Sequence, residues 1–598
     1  MPMANISHAQ TDMQIADLLV AYLEQIGVSH VFGVPGGAIE PLYNAIARSQ
    51  RRGGIRPVVA RHESGAAFMA DAYTRETGKI GVCCATSGPG ATNLITGVAC
   101  AFDNCIPMLV ITGQPSLPSF GRRALQESAC TGVNTLGMFR HCTRYDSLIS
   151  HPEQFETKLV TALQRAMRAP CGPVHLTIPL DIMKMPSPVP APSYQLMDKL
   201  RGASLIDMDA VDRLCQLFAT ARTPCLLIGG SCSEAIGDIL AFAHRFSVPY
   251  VTTPDGKGLI EPNDPLYRGV FGFAGHPAAG ALLRDPSVDL VLAVGSSMNE
   301  WTSSGWSHSL LNDKLIHIDE SAEHLARSPM ARLHVRGRLQ SIFSCLLRQA
   351  PQAIAPRPSD AAGIPTWKTE SHQAVFSATS ANLPDQIGPA RLMHELGKCF
   401  PPHTRFLADA GNSVAWAIQH LMPGGYAEPD NLDQVSSTAT TTPSVPGGWL
   451  RLTMDFAPMG WAIGGAIGTA IGNPEVPVVC LSGDGSMLMN GQEISVAVAE
   501  KLNVVFVVLN DQALGMVKHG QRLAGAERIA YELPPTDFAA LAQAQGAHGI
   551  TIRTPEDMAS LDIPAILQRG GPCLLDVYID PEAVPPINLR MQMLGGAL

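Results

Sequence analysis

Short runs of apolar, largely β-branched residues alternate along the chain with longer segments whose apolar residues recur every three or four positions. The short runs predict buried parallel strands, and the longer segments predict amphipathic helices that cover both faces of a sheet. This pattern occurs in three segments, at residues 11–185, 204–350 and 386–581. We therefore predict an α/β protein with three doubly wound parallel-sheet domains, a class in which ligands lie beyond the carboxyl ends of the strands.

The apolar runs give the individual strands of each domain. In the first domain they are HVFGVP, RPVVAR, IGVCCATS, PMLVITG and GPVHLTIP. In the second domain they are PCLLIGG, VPYVTTP, DLVLAVGSS and KLIHIDES, and in the third TRFLADAG, VPVVCLSGD, NVVFVVLND and GPCLLDVYID.

Composition narrows the possible partners. The chain has 598 residues and a net charge of −10, without a run of basic residues, so we expect no nucleic-acid partner. The amino-terminal residues do not resemble a signal peptide, and no apolar run reaches the ~20 residues of a membrane span. The 14 cysteines are scattered without a C-x-x-C pair, which is typical of reduced core thiols. We expect a cytoplasmic protein that does not bind membranes.

Acidic residues follow two predicted strands of the third domain. Asp484 stands between glycines after the strand VPVVCLS, and Asp511 follows NVVFVVLN, 27 residues later (511 − 484). A G-D-G sequence alone is usually a turn, but this spacing suits a strand-helix-strand unit that ends two neighbouring strands in carboxylates. Two hard oxygen ligands side by side favour Mg²⁺ or Ca²⁺, and the glycines before a helix favour an approaching phosphate.

This arrangement resembles the metal motif of thiamine diphosphate (ThDP) enzymes. The resemblance implies that Mg²⁺ is bound by Asp484, Asp511 and the backbone carbonyl of Ala513. The family usually has Asn where Asp511 stands; the extra charge should strengthen metal binding and repel the diphosphate, which the metal would offset. It further implies a set of residues that hold the cofactor, namely Gly411, Asn412, Ser413, Gly483, Gly485, Ser486, Gly515 and Met516.

Met459 lies in DFAPMGWAIGGAIG, which resembles the segment that supports the bent shape of ThDP. The resemblance makes Met459 an apolar wedge beneath the thiazolium ring. The alternative is that Met459 fills a gap in the core, the usual use of methionine. The glycines that follow are spaced by four, which favours close helix packing and not a dinucleotide-binding fingerprint.

Glu63 lies where the strand RPVVAR meets a predicted helix. Such a glutamate is often only a partner of the helix dipole, worth under ~1 kcal/mol. However, TSGPGATNLITGVACAFDNCIPMLVITGQ closely resembles acetolactate synthases and their ThDP-dependent relatives. The resemblance implies that Glu63 bonds the pyrimidine N1′ of ThDP, that Gly36 and Gly37 line the same site and that Gln126 lies near the reacting carbons. It also implies active sites built from the first domain of one chain and the third of another, hence a homodimer or homotetramer.

Several positions differ from acetolactate synthases. Leu125 replaces a phenylalanine, and Gly520 replaces a tryptophan, so the acceptor side of the pocket should be wider. The segment from Gly295 to Trp306 lacks basic residues, which argues against bound FAD. His276 lies near a loop that covers the site in the family, or is a loop histidine without a chemical role.

From these features we predict an enzyme that decarboxylates a 2-oxo acid and joins the two-carbon unit to an acceptor carbonyl. Pyruvate is the expected donor, and the acceptor is an aldehyde, a longer 2-oxo acid or an acyl thioester. The alternatives are a decarboxylase that releases an aldehyde and a non-catalytic relative that only binds the cofactor. A nicotinamide-dependent dehydrogenase fits the α/β pattern but lacks a glycine-rich fingerprint.

Overall fold

The computed structural model describes residues 13–129, 132–190, 196–200, 205–349, 386–424 and 448–593. The chain divides into two compact units, Met1–Gly202 and Ala203–Leu598. The first unit contains one six-stranded sheet and the second contains two. Neighbouring strands within all three sheets run parallel, and helices connect successive strands. The predicted α/β class with three doubly wound parallel sheets is therefore confirmed.

The first sheet consists of β1 (His30–Gly33), β2 (Arg56–Val59), β3 (Gly81–Ala85), β4 (Met108–Gln114), β5 (Tyr145–Leu148) and β6 (Pro173–Pro179). The strands are ordered β2-β1-β3-β4-β6-β5. The direction of winding changes between β1 and β3, so the loops after these strands flank the crevice where such sheets bind ligands. The helices of this unit are α1 (Ile15–Gln25), α2 (Glu40–Gln50), α3 (Glu63–Thr77), α4 (Pro89–Asp103), α5 (Thr135–Phe139), α6 (Phe155–Met167), α7 (Leu180–Lys184) and α8 (Leu196–Leu200).

The middle sheet consists of β7 (Pro224–Ile228), β8 (Tyr250–Thr252), β9 (Tyr267–Val270), β10 (Leu290–Val294), β11 (Leu315–Asp319) and β12 (Leu333–Arg336). Its order, β12-β11-β10-β7-β8-β9, differs from that of the first sheet and changes winding direction between β7 and β10. The helices are α9 (Met208–Thr220), α10 (Ile236–Arg245), α11 (Pro277–Arg284), α12 (Ala322–Leu325) and α13 (Leu339–Gln349).

The third sheet consists of β13 (Arg405–Ala408), β14 (Leu450–Arg451), β15 (Val478–Gly483), β16 (Val504–Asn510), β17 (His548–Ile552) and β18 (Cys573–Tyr578). Its order, β14-β13-β15-β16-β18-β17, repeats that of the first sheet. The helices are α14 (Pro389–Cys399), α15 (Asn412–His420), α16 (Trp461–Gly472), α17 (Asp484–Asn490), α18 (Ile494–Ala499), α19 (Gly515–Ala524), α20 (Phe538–Ala544), α21 (Pro555–Ala559), α22 (Ile563–Arg569) and α23 (Asn588–Met593).

The strands that the apolar pattern did not predict all lie at the edges of the sheets. They are β5, β9, β12, β14 and β17. An edge strand has one neighbour and is often half-buried or short: β5 and most of β17 are only partly buried, and β14 has two residues. Short or partly buried strands need no continuous apolar run, which explains why the pattern missed these three and β12. β9 is fully buried, but its sequence YRGV contains an arginine and a glycine and is not a continuous apolar run. Among the described residues, no helix combines the length and apolarity needed to cross a bilayer.

Candidate active site

Asp484 is the first residue of α17 and directly follows β15. The residue is 3% exposed. The backbone N–H of Gly485 donates to Asp484 Oδ1 (2.7 Å), and that of Ala513 donates to Oδ2 (3.2 Å). Burial raises the pKa of this carboxyl to about 6, although the backbone hydrogen bonds act in the opposite direction. Asp484 is therefore a buried acid at the carboxyl end of a central strand, where a cation would offset the cost of its burial.

Asp511 follows β16, which pairs in parallel with β15, so both acids stand at the carboxyl ends of two neighbouring strands. Burial, and then repulsion by the Asp484 carboxylate, raise the pKa of Asp511 to about 7, while Lys518 acts in the opposite direction. Asp484 is buried and Asp511 is half-buried, and two such neighbouring carboxylates repel each other until a proton or a cation lies between them. Their oxygen ligands are those that Mg²⁺ prefers, so the pair fits the predicted metal site.

The third predicted metal ligand is the backbone carbonyl of Ala513. This residue lies opposite Glu532 in a short antiparallel bridge, whose hydrogen bonds use the Leu514 amide and the Gln512 carbonyl. The bridge thus leaves the Ala513 carbonyl outside its ladder. In the part of the chain that the structure describes, no group of three or more His, Cys, Asp or Glu side chains could hold a metal ion. A metal at this edge would depend on two carboxylates and one carbonyl.

The predicted diphosphate loops meet at Gly515, the first residue of α19. A Cβ atom on Gly515 would lie 2.5 Å from Asn412 Nδ2 and 2.6 Å from Asp511 Oδ2. Asn412 starts α15, and the residue before it, Gly411, has φ +108°, a conformation that L side chains rarely adopt. Asn412 Oδ1 is buried and has no hydrogen-bond partner among the described residues. A helix start with an unsatisfied polar atom beside the two acids fits a phosphate group and its metal.

Met459 lies beside Gly485, at the start of α17. Its Cε lies 3.2 Å from the position that a Cβ on Gly485 would take. The buried Asp409 holds this segment, because its Oδ2 accepts from the Gly460 N–H (2.7 Å) and its Oδ1 from the Ala462 N–H (3.1 Å). Burial raises the pKa of Asp409 to about 6, which the two amides oppose. Asp409 therefore orients the start of α16 and the methionine before it.

The remaining predicted positions of the third domain lie on the same elements. Gly483 ends β15, and Ser486 is buried in the first turn of α17. Met516 and Gly520 are four residues apart on α19 and so share one face of that helix. Apart from its own helix backbone, no described residue has an atom within 4 Å of the position that a Cβ on Gly520 would take.

Glu63 is the first residue of α3 in the first unit and is 9% exposed. The side chain of Asn93, on the neighbouring helix α4, donates through Nδ2 to Glu63 Oε2 (2.9 Å). Glu63 Oε1 lies 3.2 Å from the position that a Cβ on Gly90 would take. Because Gly90 has no side chain, Oε1 keeps space around it while Oε2 is held. This arrangement leaves one carboxylate oxygen available to a ligand.

Gly36 and Gly37 lie in the loop after β1. A Cβ on Gly36 would lie 2.7 Å from Thr86 Cβ, so this loop approaches the loop after β3 closely. The Ala38 N–H also donates to Thr86 Oγ1 (3.3 Å). The two loops therefore meet at the point where the winding of the first sheet reverses, as expected for a ligand site.

Gln126 adopts φ +59°, and the preceding Leu125 is 89% exposed. Their segment is held by Ser128, whose Oγ accepts from the Gly88 N–H (3.2 Å) and from Gln114 Nε2 (2.9 Å). Gln114 Oε1 in turn accepts from the Ser128 N–H (3.2 Å). Ser128 thus connects the Gln126 segment to the end of β4 and to the start of α4, the helix that carries Asn93.

His276 precedes α11 in the middle domain and is buried. Its Nδ1 accepts from the Val270 N–H (2.9 Å), and its Nε2 bonds the Gln419 carbonyl (3.0 Å). Burial lowers the pKa of His276 to about 3, so the ring is neutral at physiological pH. Both ring nitrogens contact backbone groups, and a role in the substrate pocket stays a prediction. The absence of FAD, inferred from the run from Gly295 to Trp306, also stays a prediction.

Three supporting side chains were missed by the sequence analysis. Asp409 carried a usable signal, since it is an acid directly after a buried strand, like Asp484 and Asp511. Asn93 and Ser128 carried none, because their importance comes from partners that are distant in the sequence.

Three family models match the chain, all from thiamine pyrophosphate enzymes. The N-terminal TPP binding domain matches residues 13–133, the central domain matches residues 211–346, and the C-terminal TPP binding domain matches residues 434–577. These matches place the Glu63 loops in the N-terminal model and the two acids in the C-terminal model.

Curated relatives match over almost the whole chain. IlvB2 of Mycobacterium tuberculosis, which carries a provisional acetolactate synthase large-subunit name, is 31% identical over 96% of this chain and 99% of its own length. The acetolactate synthase isozyme 2 large subunit of Escherichia coli is 31% identical over 97% of this chain and 99% of its own length. The acetolactate synthase large subunit of Parasynechococcus marenigrum is 30% identical over 97% of this chain and 90% of its own length.

Proposed function

Because the chain belongs to the thiamine pyrophosphate (ThDP) enzyme family, we propose that it decarboxylates pyruvate and joins the two-carbon unit to a larger acceptor carbonyl. Similarity to acetolactate synthases supports pyruvate as the donor, since acetolactate contains a two-carbon unit joined to pyruvate. The observation that supports a larger acceptor is the open space at Gly520. Carbon dioxide leaves the donor, and a new carbon–carbon bond forms to the acceptor carbonyl. With an aldehyde or a 2-oxo acid, the acceptor oxygen takes up one proton and becomes a hydroxyl; with an acyl thioester, the carbonyl is restored and the thiol leaves with the proton.

Asp484, Asp511 and the Ala513 carbonyl would bind Mg²⁺, whose positive charge would favour the diphosphate of ThDP at this site. Burial and mutual repulsion of the two acids support this assignment, because a divalent cation relieves both. The start of α15 at Asn412 and the backbone of Gly515, which has no side chain to block an approach, would bind the phosphate oxygens. The other residues of this cradle are Gly411, Ser413, Gly483, Gly485, Ser486 and Met516, with Met459 as the apolar support.

When bound, ThDP supplies a nucleophilic carbon and an electron sink for the decarboxylation. Glu63 would hold and move the proton that this chemistry needs. Asn93 holds Glu63 Oε2, so the proton is exchanged at Oε1, which has free space beside Gly90. A carboxylate anchored through one oxygen keeps its orientation while the other oxygen works, as a general base requires.

Gly520, Leu125 and Gln126 would shape the acceptor side. Gly520 adds no side chain to its face of α19, and Leu125 is exposed and free of packing constraints. Gln126 is held by its backbone segment through Ser128, so its amide can bond a carbonyl group in a defined direction. An aldehyde, a longer 2-oxo acid or an acyl thioester fits this wider space.

The test is a product screen by mass spectrometry with pyruvate as donor and these three acceptor classes. We expect mixed products to exceed acetolactate. Gly520→Trp should fold normally, because nothing occupies the space, and should shift the product ratio towards acetolactate by about 10- to 100-fold. Gly237→Trp is the matched control, since Gly237 is also open but lies on α10 of the middle domain.

Exclusive formation of acetolactate by the unchanged enzyme would contradict the larger acceptor. Acetaldehyde as the only product would identify a simple decarboxylase, and no carbon dioxide release with ThDP bound would identify a non-catalytic relative.

We also propose a homo-oligomer with active sites between chains, as the family resemblance implies. The exposed apolar side chains of Leu488 and Met489 support this, because they lie on α17, the helix that begins with Asp484. Large exposed apolar groups beside a ligand site are typical of a surface that another chain covers. Light scattering after size exclusion should give a dimer or a tetramer, and a catalytically active monomer would contradict the proposal.

A further inference from the structure

A buried lysine of the middle domain reaches the end of a helix of the third domain. Lys257 lies in the short turn Lys257–Leu259 after β8 and is 1% exposed. Its Nζ donates to the carbonyl oxygens of Ala417 (2.9 Å), Ile418 (2.7 Å) and Leu421 (2.7 Å). Ala417 and Ile418 lie in the last turn of α15 and Leu421 directly follows it, at the helix end where carbonyl groups lack the partners of a further turn. The Ala417 carbonyl also accepts the Leu421 N–H (3.2 Å).

His276 completes this cap. Its Nε2 donates to the Gln419 carbonyl, while Nδ1 accepts a backbone N–H from its own domain. Two side chains of the middle domain thus satisfy the carbonyls of residues 417, 418, 419 and 421. The turn that carries Lys257 is itself bound to the third domain, because the Trp449 N–H donates to the Gly258 carbonyl (2.9 Å).

The three carbonyl contacts favour a charged Lys257. An ammonium group has three N–H donors for three oxygens, whereas a neutral amine would point its lone pair at one of them. The negative end of the helix dipole also favours the ammonium form. Burial lowers the pKa of Lys257, whereas the three carbonyls and the helix dipole favour its protonated form. A methionine would fill similar space without placing a charged group in the interior, so packing alone does not explain a lysine.

The opposite end of the same helix belongs to the candidate cofactor site. α15 has nine residues, about 13 Å, and begins at Asn412, whose Nδ2 faces Gly515 and Asp511. A cation at its carboxyl end and a diphosphate at its amino end both interact favourably with the helix dipole. Because a short helix moves as one body, displacement of the capped end would displace Asn412.

We infer that Lys257 is a positioning residue for the diphosphate half of the site: from the middle domain it holds α15 so that Gly411 and Asn412 face the cofactor. The inference rests on the proposed function of the third-domain loops. Through Lys257, the middle domain would support the binding of ThDP without itself binding a nucleotide.

The test compares Lys257→Met with Lys314→Met. Lys314 also lies in the middle domain and donates from Nζ to a backbone carbonyl, that of Val288 (2.6 Å), which belongs to the middle domain and not to α15. We expect Lys257→Met to weaken ThDP binding by about tenfold or more, while kcat at saturating ThDP and KM for pyruvate stay within about twofold. Amide hydrogen exchange in the apoprotein should become faster at residues 412–416. Lys314→Met should change none of these values.

A second variant covers the case in which Lys257→Met does not fold. His276→Ala removes one of the four carbonyl contacts and should weaken ThDP binding about threefold, with faster amide exchange at residues 412–416. His244→Ala, at an exposed histidine paired with Asp264, is its control. Unchanged ThDP affinity in whichever of the two variants folds would overturn the inference. Failure of the unchanged enzyme to bind ThDP would instead contradict the proposed function.

Discussion

The first and third sheets have the same strand order, yet different chemistry follows their strands. In the third sheet β13, β15 and β16 are each followed by an acid. In the first sheet the corresponding strands β1, β3 and β4 lead to glycines, a threonine and a glutamine, and the acid of that site stands after the edge strand β2. The residues are Asp409, Asp484 and Asp511 in the third sheet and Gly36, Gly37, Thr86, Gln114 and Glu63 in the first.

This difference shows that topology and chemistry make separate contributions. The shared strand order places loops at the same reversal point in both sheets, so it determines where a ligand can bind. The residues at the strand ends determine which part of a ligand is bound. Clustered buried acids need a cation and so suit a metal-bound diphosphate, whereas neutral loops with one anchored carboxylate suit an uncharged ring and a proton. Exchanging or removing these groups tests whether the two roles are separate.

The largest expected effect is on the catalytic rate and comes from the first sheet. Glu63→Gln should lower kcat by about 10²- to 10⁴-fold, because the proton acceptor is lost, while ThDP affinity changes less than about fivefold. Rates of proton exchange at the ThDP thiazolium should fall in parallel. Glu40→Gln, at an exposed glutamate of α2, is the control. A comparable loss of ThDP affinity would show that the first sheet anchors the cofactor as the third does.

The next effect is on cofactor binding and comes from the third sheet. Asp484→Ala should weaken Mg²⁺-dependent ThDP binding by more than about 100-fold, since even the loss of indirect metal contacts costs about 10- to 100-fold. Calorimetric titration of the apoprotein with ThDP, with and without Mg²⁺, measures this. Asp209→Asn, at an exposed acid of α9, should bind normally. Retained affinity in the alanine variant would exclude Asp484 as a metal ligand.

Asp484 and Asp511 also predict that Mg²⁺-dependent ThDP binding varies with pH, an effect that the residues of the first sheet do not predict. Only deprotonated carboxylates bind the metal, and burial raises the pKa of Asp484 to about 6 and that of Asp511 to about 7. Protons therefore compete with Mg²⁺ as the pH falls, and affinity should drop about tenfold between pH 8 and pH 6. Asp511→Asn should retain ThDP binding and flatten this dependence to about twofold. Loss of all ThDP binding in Asp511→Asn would show that an amide cannot replace this ligand.

The smallest effect concerns the support of Glu63. Asn93→Ala should lower kcat about tenfold, the value expected for one hydrogen bond to a charged group, and leave ThDP affinity unchanged. Asn44→Ala is a matched control, because Asn44 also donates to a glutamate, Glu40, but on an exposed surface (3.4 Å). Asn93→Asp should lower kcat further, since it would place a second negative charge beside Glu63. An unchanged rate in Asn93→Ala would mean that Glu63 needs no anchor.

Sequence analysis located the two strand-end acids because each had a local signal, whereas Glu63 was assigned only through the resemblance of residues 86–114 to the family. Asp484 lies between glycines after an apolar run, and Asp511 repeats that position one strand later. Asp409 had the same signal and was overlooked, because its function is to bind the backbone of a distant segment. Five of the six edge strands in the described sheets were missed because they are short, partly buried or, in β9, interrupted by an arginine and a glycine, and so lack a continuous apolar run. His276 could be assigned to the end of α15 only once its two backbone partners were known.

The sequence by itself determined the α/β class, the central strands of each sheet and the acids at their ends, because burial and strand termination leave marks within a few residues. Which side chains meet depends instead on how the helices and sheets pack. Asn93 reaches Glu63 across 30 residues, Asp409 reaches Gly460 across 51 and Lys257 reaches Ala417 across 160. Such contacts depend on how helices and sheets pack, and a local pattern of apolar and polar residues carries no information about that distance.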